Sequence, residues 1–122
     1  MWKILRTNEI VFWIRELDDG AKEAILKRLL VLREIGPSLG RPQVDTVKGS
    51  EYPNMKELRV RNRGRVFRIF FAFDPSRNAI LLIGGDKRGD KRFYEEMIPK
   101  ADELYRRHLA ILRKNDENKK KH

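Results

Sequence analysis

Between positions 56 and 73 the chain writes a two-residue alternation twice over. In Lys56 to Val60, Leu58 and Val60 fall on one side and Glu57 and Arg59 on the other. In Arg65 to Phe73, Phe67, Ile69, Phe71 and Phe73 share one side, and Val66, Arg68, Phe70 and Ala72 the other. A period of two belongs to strands, whose successive side chains point to opposite faces. The intervening Arg61 to Gly64 contains Asn and Gly and suits a hairpin turn. An apolar hairpin face has to be covered, so the chain must supply helices to lie on it.

The helices come first. Trp2 to Arg6 reads as a short opening strand, and Thr7 or Asn8 caps a helix over Glu9 to Leu17. Asp18-Asp19-Gly20 breaks it. A second helix then runs to about Ile35, with Ala21, Ala24, Ile25, Leu29, Leu32 and Ile35 as its inner side and Gly36-Pro37 as its stop. Ser38 to Met55 has no helical or alternating pattern and reads as an ordered loop carrying Arg41, Lys48 and Asn54. After the hairpin, Asp74 to Asn78 is a turn, and Ala79 to Ile83 an apolar strand ending in Gly84-Gly85-Asp86-Lys87. Arg88 to Arg92 is a charged link. Pro99 suits the first position of a last helix, along which Ala101, Leu104, Tyr105, His108 and Leu112 recur at helical spacing.

The order β, α, α, β, β, β, α predicts an α+β domain, with two N-terminal helices and a C-terminal helix packed on one face of a small, mainly antiparallel sheet. One domain over residues 1–114 is expected, followed by a basic, disordered tail over 115–122. The 122 residues include no cysteine, which excludes disulfides, Cys-ligated zinc and a cysteine nucleophile. No stretch resembles a signal peptide or a membrane span, so a soluble cytoplasmic protein with no membrane partner is expected.

Lys and Arg exceed Asp and Glu by 28 to 18, a net charge of +10. Thirteen of the basic residues and only six of the acidic ones lie between positions 41 and 92. A concentrated block of this kind suits a polyanion such as nucleic acid, whose phosphates release condensed counterions when neutralised. Strand parity places Glu57, Arg59 and Arg68 together on the face turned away from the helices. Basic residues at Lys48, Lys56, Lys87, Lys91 and Arg92 edge that face, and Tyr94 follows them. The plain alternative is a cross-strand ion pair on a solvated sheet, worth about 0 to 1 kcal/mol. Cleavage of RNA through its own 2′-hydroxyl needs a proton acceptor, a proton donor and fixed positive charge on the phosphorane, but no cofactor and no metal. Neither His108 nor His122 falls in the basic region, so Glu57 and Lys87 are the candidates for proton transfer. Asp86 and Asp90 lack a third carboxylate for Mg²⁺.

Six segments together resemble a known family: Gly36-Pro37-Ser38-Leu39-Gly40-Arg41-Pro42, Val44 to Ser50, Met55-Lys56-Glu57-Leu58-Arg59, Arg68 to Pro75, Ile80 to Lys87, and Ile98 to Asp102 with Leu104-Tyr105. In this order they resemble the phage-derived-protein-like branch of the HigB toxins, within the RelE/ParE superfamily of type II toxin–antitoxin systems. The resemblance implies a small sheet flanked by helices and an endoribonuclease that cuts mRNA on the ribosome. It also implies a co-encoded antitoxin with a helix-turn-helix domain. Glu57, Arg59, Arg68, Lys87 and Tyr94 are the catalytic candidates, and Lys48, Lys56, Arg65, Lys91 and Arg92 the candidates for binding RNA or the ribosome. ParE-like relatives, which inhibit DNA gyrase, and a non-catalytic basic nucleic-acid-binding module remain alternatives. Finally, Ile10 to Ile14 are apolar at five consecutive positions, more than one helix face can bury. Phe12 and Trp13 are therefore the candidates for contact with an antitoxin.

Overall fold

The computed structural model describes residues 1–120. Its strands are β1 (Lys3–Arg6), β2 (Val44–Thr46), β3 (Lys56–Asn62), β4 (Arg65–Phe73) and β5 (Asn78–Asp86). They form one sheet in the order β1-β5-β4-β3-β2, parallel between β1 and β5 and antiparallel elsewhere. The helices are α1 (Asn8–Arg15), α2 (Asp19–Ile35) and α3 (Phe93–Lys120). The α+β class and the three helices agree with the pattern of the sequence. Among the described residues no helix is long and apolar enough to cross a membrane.

Local chemistry sets these boundaries. Asn62 pairs with Arg65, which leaves Arg63 and Gly64 as a two-residue turn, both at positive φ (49° and 82°). Two such residues give the hairpin a turn whose twist matches that of the strands. Thr7 caps α1 by accepting the Ile10 N–H at 3.1 Å, and Asp18 caps α2 by accepting the Ala21 N–H at 2.9 Å.

Three expectations change. The segment read as loop contains β2, which pairs Val44 with Leu58 and Thr46 with Lys56; three residues are too few to show an alternation. Helices cover both faces of the sheet, not one. Ile10, Ile25 and Leu32 pack with Leu58, Phe67, Ile69 and Phe71 on the first face. On the second, Phe93, Ala101 and Tyr105 of α3 pack with Phe70, Ala72 and Leu82. The third change is the extent of α3. It starts at Phe93, so Pro99 lies inside it. The bond that Pro99 cannot donate would have gone to the Glu95 carbonyl, and both residues are exposed, so water can serve that carbonyl. At its other end α3 continues through residues 115–120, which were expected to be disordered. There Arg113 with Glu117 and Asp116 with Lys120 are opposite charges four apart, a spacing that supports an exposed helix. Lys121 and His122, the end of the expected tail, lie outside the described residues.

Polar contacts tie the second layer down. Buried Asp102 accepts the Glu51 N–H at 3.0 Å and the Ser50 hydroxyl. His108 lies 2.7 Å from Asp74, at the β4–β5 turn.

Candidate active site

Register brings the predicted charged residues together. Arg59 on β3 pairs directly with Arg68 on β4, and Glu57 precedes Arg59 on the same face by strand parity. The sequence predicts an open, uncovered face, but α3 covers it, and Glu57 and Arg68 are each only 5% exposed. Arg68 Nε approaches Glu57 Oε2 to 2.9 Å, while its Nη1 donates to the Phe67 carbonyl at 3.1 Å. The Nε–carboxylate approach is ionic and not aligned as a hydrogen bond; Arg59 Nε and Arg68 Nε are both buried and, among the described residues, have no hydrogen-bond partner. A buried pair of this kind differs from a solvated one, because removing either partner strands a charge in low dielectric.

α3 supplies the third member. Tyr94 donates its hydroxyl to Glu57, with O–O distances of 2.8 Å to Oε2 and 3.1 Å to Oε1. Burial and the neighbouring Glu57 carboxylate push the Tyr94 phenol above its ordinary pKa, so it stays protonated at neutral pH. Lys87, at the end of β5, places Nζ 5.5 Å from the centre of the Tyr94 ring. Glu57, Arg59, Arg68, Lys87 and Tyr94 thus form one group.

Two residues not singled out as candidates complete it. Asp45 on β2 sits 3.2 Å from Arg59 Nη2 and 3.2 Å from Arg41 Nε. The Arg41 guanidinium holds the Asp45 carboxyl below the usual carboxylate range. The β-branched Val44, Thr46 and Val47 around Asp45 were the available signal for this strand. Clefts open on both sides of the group. One, about 240 Å³, is lined by Arg41, Asp45, Thr46, Lys48, Glu57 and Tyr94. The other, about 350 Å³, is lined by Arg28, Pro42, Gln43, Arg59, Arg61 and Arg68.

The remaining candidates divide. Lys48 is exposed at the smaller cleft, and Lys56 donates to Thr46 Oγ1 at 3.2 Å. Lys91 and Arg92 are exposed in the turn before α3. Arg65 does not join them. It lies on the α1–α2 side of β4, bonded to Asp18 at 2.6 and 3.1 Å and to Asn62, with its guanidinium 5.4 Å from the Phe67 ring centre. Its role there is to fasten the hairpin to the start of α2. Asp86 and Asp90 are occupied as turn caps, Asp86 accepting the Val66 and Arg88 N–H groups and Asp90 that of Arg92.

Phe12 and Trp13 also part. Phe12 is 62% exposed, with the Arg15 guanidinium over its ring at 5.5 Å. Trp13 packs edge-on to Phe67 and lies over Gly84, where a Cβ would come within 2.5 Å of Trp13 Cζ3. The next residue, Gly85, does the same on the other face: its Cβ would meet Phe93 Cε1 at 2.9 Å. The Gly-Gly pair makes room for an aromatic ring on each side of β5.

Residues 12–106 match the phage derived protein Gp49-like family (DUF891). Two proteins of Mycobacterium tuberculosis (strain ATCC 25618 / H37Rv) named as toxins, HigB2 and HigB3, are each 48% identical to the chain, over 105 and 108 residues. The alignments cover 84% and 88% of this chain, with 52% of HigB2 and 93% of HigB3, so the chain spans about half the length of HigB2. A solved structure of the E. coli toxin RelE, an arginine double mutant in the free state, has the same fold, with a TM-score of 0.58 at 13% identity. That likeness covers 79% of this chain and 94% of the RelE chain. With the family match spanning most of its length and HigB3 aligned almost end to end, the chain belongs to the phage-derived-protein Gp49-like family, alongside the HigB-type proteins.

Proposed function

We propose that this chain is the toxin of a type II toxin–antitoxin pair, and that it acts in the cytoplasm as a ribosome-dependent endoribonuclease on mRNA. The observation that carries the reading is the buried Glu57–Arg68 pair, hydrogen-bonded to half-buried Tyr94 and placed between two clefts, the larger of them lined by four arginines. RNA is cut here without metal. Glu57 takes the proton of the 2′-hydroxyl, and the 2′-oxygen attacks phosphorus. Arg59 and Arg68 stabilise the charge that builds on the phosphorane, and the bond to the 5′-oxygen breaks as that oxygen receives a proton. A 2′,3′-cyclic phosphate and a 5′-hydroxyl result. Asp45 is a poorer proton acceptor than its position suggests, because Arg41 stabilises its ionised form. Tyr94, protonated at neutral pH, and the Lys87 ammonium are the donors within reach of the same cleft.

Lys48, Lys56, Lys91 and Arg92 contact RNA backbone of message or ribosome. A helix-turn-helix antitoxin covers the α1–α2 layer around Phe12, since a large exposed aromatic is the usual anchor of such contacts. Mapping of RNA ends after induced expression tests the activity. Codon-phased cuts in translated messages, absent for Arg59→Ala, are the expected result. Intact mRNA with double-strand DNA breaks would overturn it in favour of the gyrase reading.

A further inference from the structure

The larger cleft holds more positive charge than one scissile phosphate needs. Its lining contains four guanidinium groups, Arg28, Arg59, Arg61 and Arg68, and no carboxylate. Arg59 and Arg68 are the ones that face Glu57 and Asp45. Arg28 and Arg61, by contrast, have no acidic side chain within 4 Å among the described residues. Like charges held together without a counterion repel one another, and an anion relieves that cost.

The fold explains why the cleft lies here. β2 pairs with β3 only as far as Leu58, so the edge of β3 beyond it is left without a strand neighbour. The chain before β2 closes the near end, where the Gln43 carbonyl accepts the Arg59 N–H at 2.8 Å. Past that bond Arg61 projects on the same face as Arg59, two residues and about 7 Å further along the strand. Arg28, half-buried on α2, meets them from the layer across the open edge. That separation suits two neighbouring phosphates of an extended single strand.

We infer that Arg28 and Arg61 form a second phosphate subsite, which takes the phosphodiester next to the one held by Arg59 and Arg68. The inference rests on the ribonuclease reading for the identity of the polyanion, and it assigns α2 a direct role in gripping the substrate. Bidentate guanidinium contacts would fix the strand's direction across the sheet as well as its position.

The test uses the intact chain and two uncleavable RNAs in which every 2′-hydroxyl is methylated, a dinucleotide with one internucleotide phosphate and a trinucleotide with two. Nuclear magnetic resonance of the arginine Nε–H groups reports each site, and fluorescence anisotropy reports affinity. The dinucleotide should shift Arg59 and Arg68 alone; the trinucleotide should shift Arg28 and Arg61 as well and bind about tenfold more tightly. That gain should vanish in Arg28→Gln and in Arg61→Gln, with a salt dependence shallower by about one phosphate contact. A trinucleotide that leaves Arg28 and Arg61 unmoved, or that gains equally in the variants, overturns the subsite and leaves the nuclease reading standing. Shifts at all four arginines with intact mRNA ends in cells would keep the subsite and overturn the nuclease. No shift at any of the four would overturn the subsite, and the nuclease reading would then stand or fall on the mapping of RNA ends.

Discussion

The Tyr94 hydroxyl lies 2.8 Å from Glu57 Oε2, so a residue of the last helix completes a polar group that begins on the third strand. Tyr94→Phe keeps the ring and its edge contact with Phe70 but removes the donor. Cleavage should fall by about 10²-fold or more, the scale of a lost proton-transfer partner. Alkaline absorbance titration should show that the phenol missing from the variant is one that ionises above pH 10, because burial and Glu57 favour its neutral form. An unchanged cutting rate would remove Tyr94 from the catalytic group.

Burial makes Arg68 a structural residue as well as a candidate for catalysis. Arg68→Ala should destabilise the chain by about 3 kcal/mol, since buried Glu57 then loses its nearer ionic partner and keeps only the Arg59 guanidinium at 3.8 Å. Glu57→Gln paired with Arg68→Met should recover much of that loss while restoring no activity. Urea denaturation of the two single variants and the double gives the coupling directly. Additive losses would mean that the pair contributes nothing as a pair.

Gly84→Ala and Gly85→Ala should separate the two layers. The first drives a methyl group into Trp13 and the second drives one into Phe93. Overpacking of this kind costs about 1 to 3 kcal/mol. Tryptophan emission, read against a Trp2→Phe background, should respond more strongly to Gly84→Ala than to Gly85→Ala. Equal responses would contradict the placement of the rings.

The Asp18–Arg65 contact gives the fold an acid-sensitive point. Hydrogen bonds from Arg65 and from the Ala21 amide lower the Asp18 carboxyl from 3.8 to about 2. Its contribution to stability is present above the unfolded value and is lost as pH falls from about 4 to about 2. The contribution is small because the pair is open to solvent. Asp18→Asn should flatten the stability profile in that window, leaving the variant slightly less stable than the wild type near neutrality and equal to it at the acid end. A variant with the same acid limb as the wild type would show that Asp18 is not its source.

The hairpin was legible because Leu58, Val60, Phe67, Ile69 and Phe71 share a parity that no helix can satisfy, and that parity alone placed Glu57, Arg59 and Arg68 on one face. What it could not convey was the cover on that face. Pro99 reads as a helix start, and the helix carrying Phe93 and Tyr94 had already begun six residues earlier, held by packing of Phe93 against Gly85 and Phe70. A parity argument gives direction, not depth, so a buried ion pair and a solvated one look alike in the sequence. Arg65 illustrates the same limit: its charge suggested RNA, and its parity, opposite to that of Arg68, turned it toward Asp18. Arg28 was hidden for another reason, since nothing in a helical repeat announces which surface arginine will meet the edge of a distant strand.

At Gly84-Gly85 the sheet is reduced to bare backbone between two rings. Trp13, one residue from exposed Phe12, rests on one side; Phe93, one residue from Tyr94, rests on the other. Interiors packed at crystal density have little slack to absorb a push. The Trp13 ring of α1 and the Phe93 ring beside Tyr94 are therefore separated by the thickness of a single peptide chain. Phe12 and Tyr94 are thus each one residue away from a ring seated on the same two glycines.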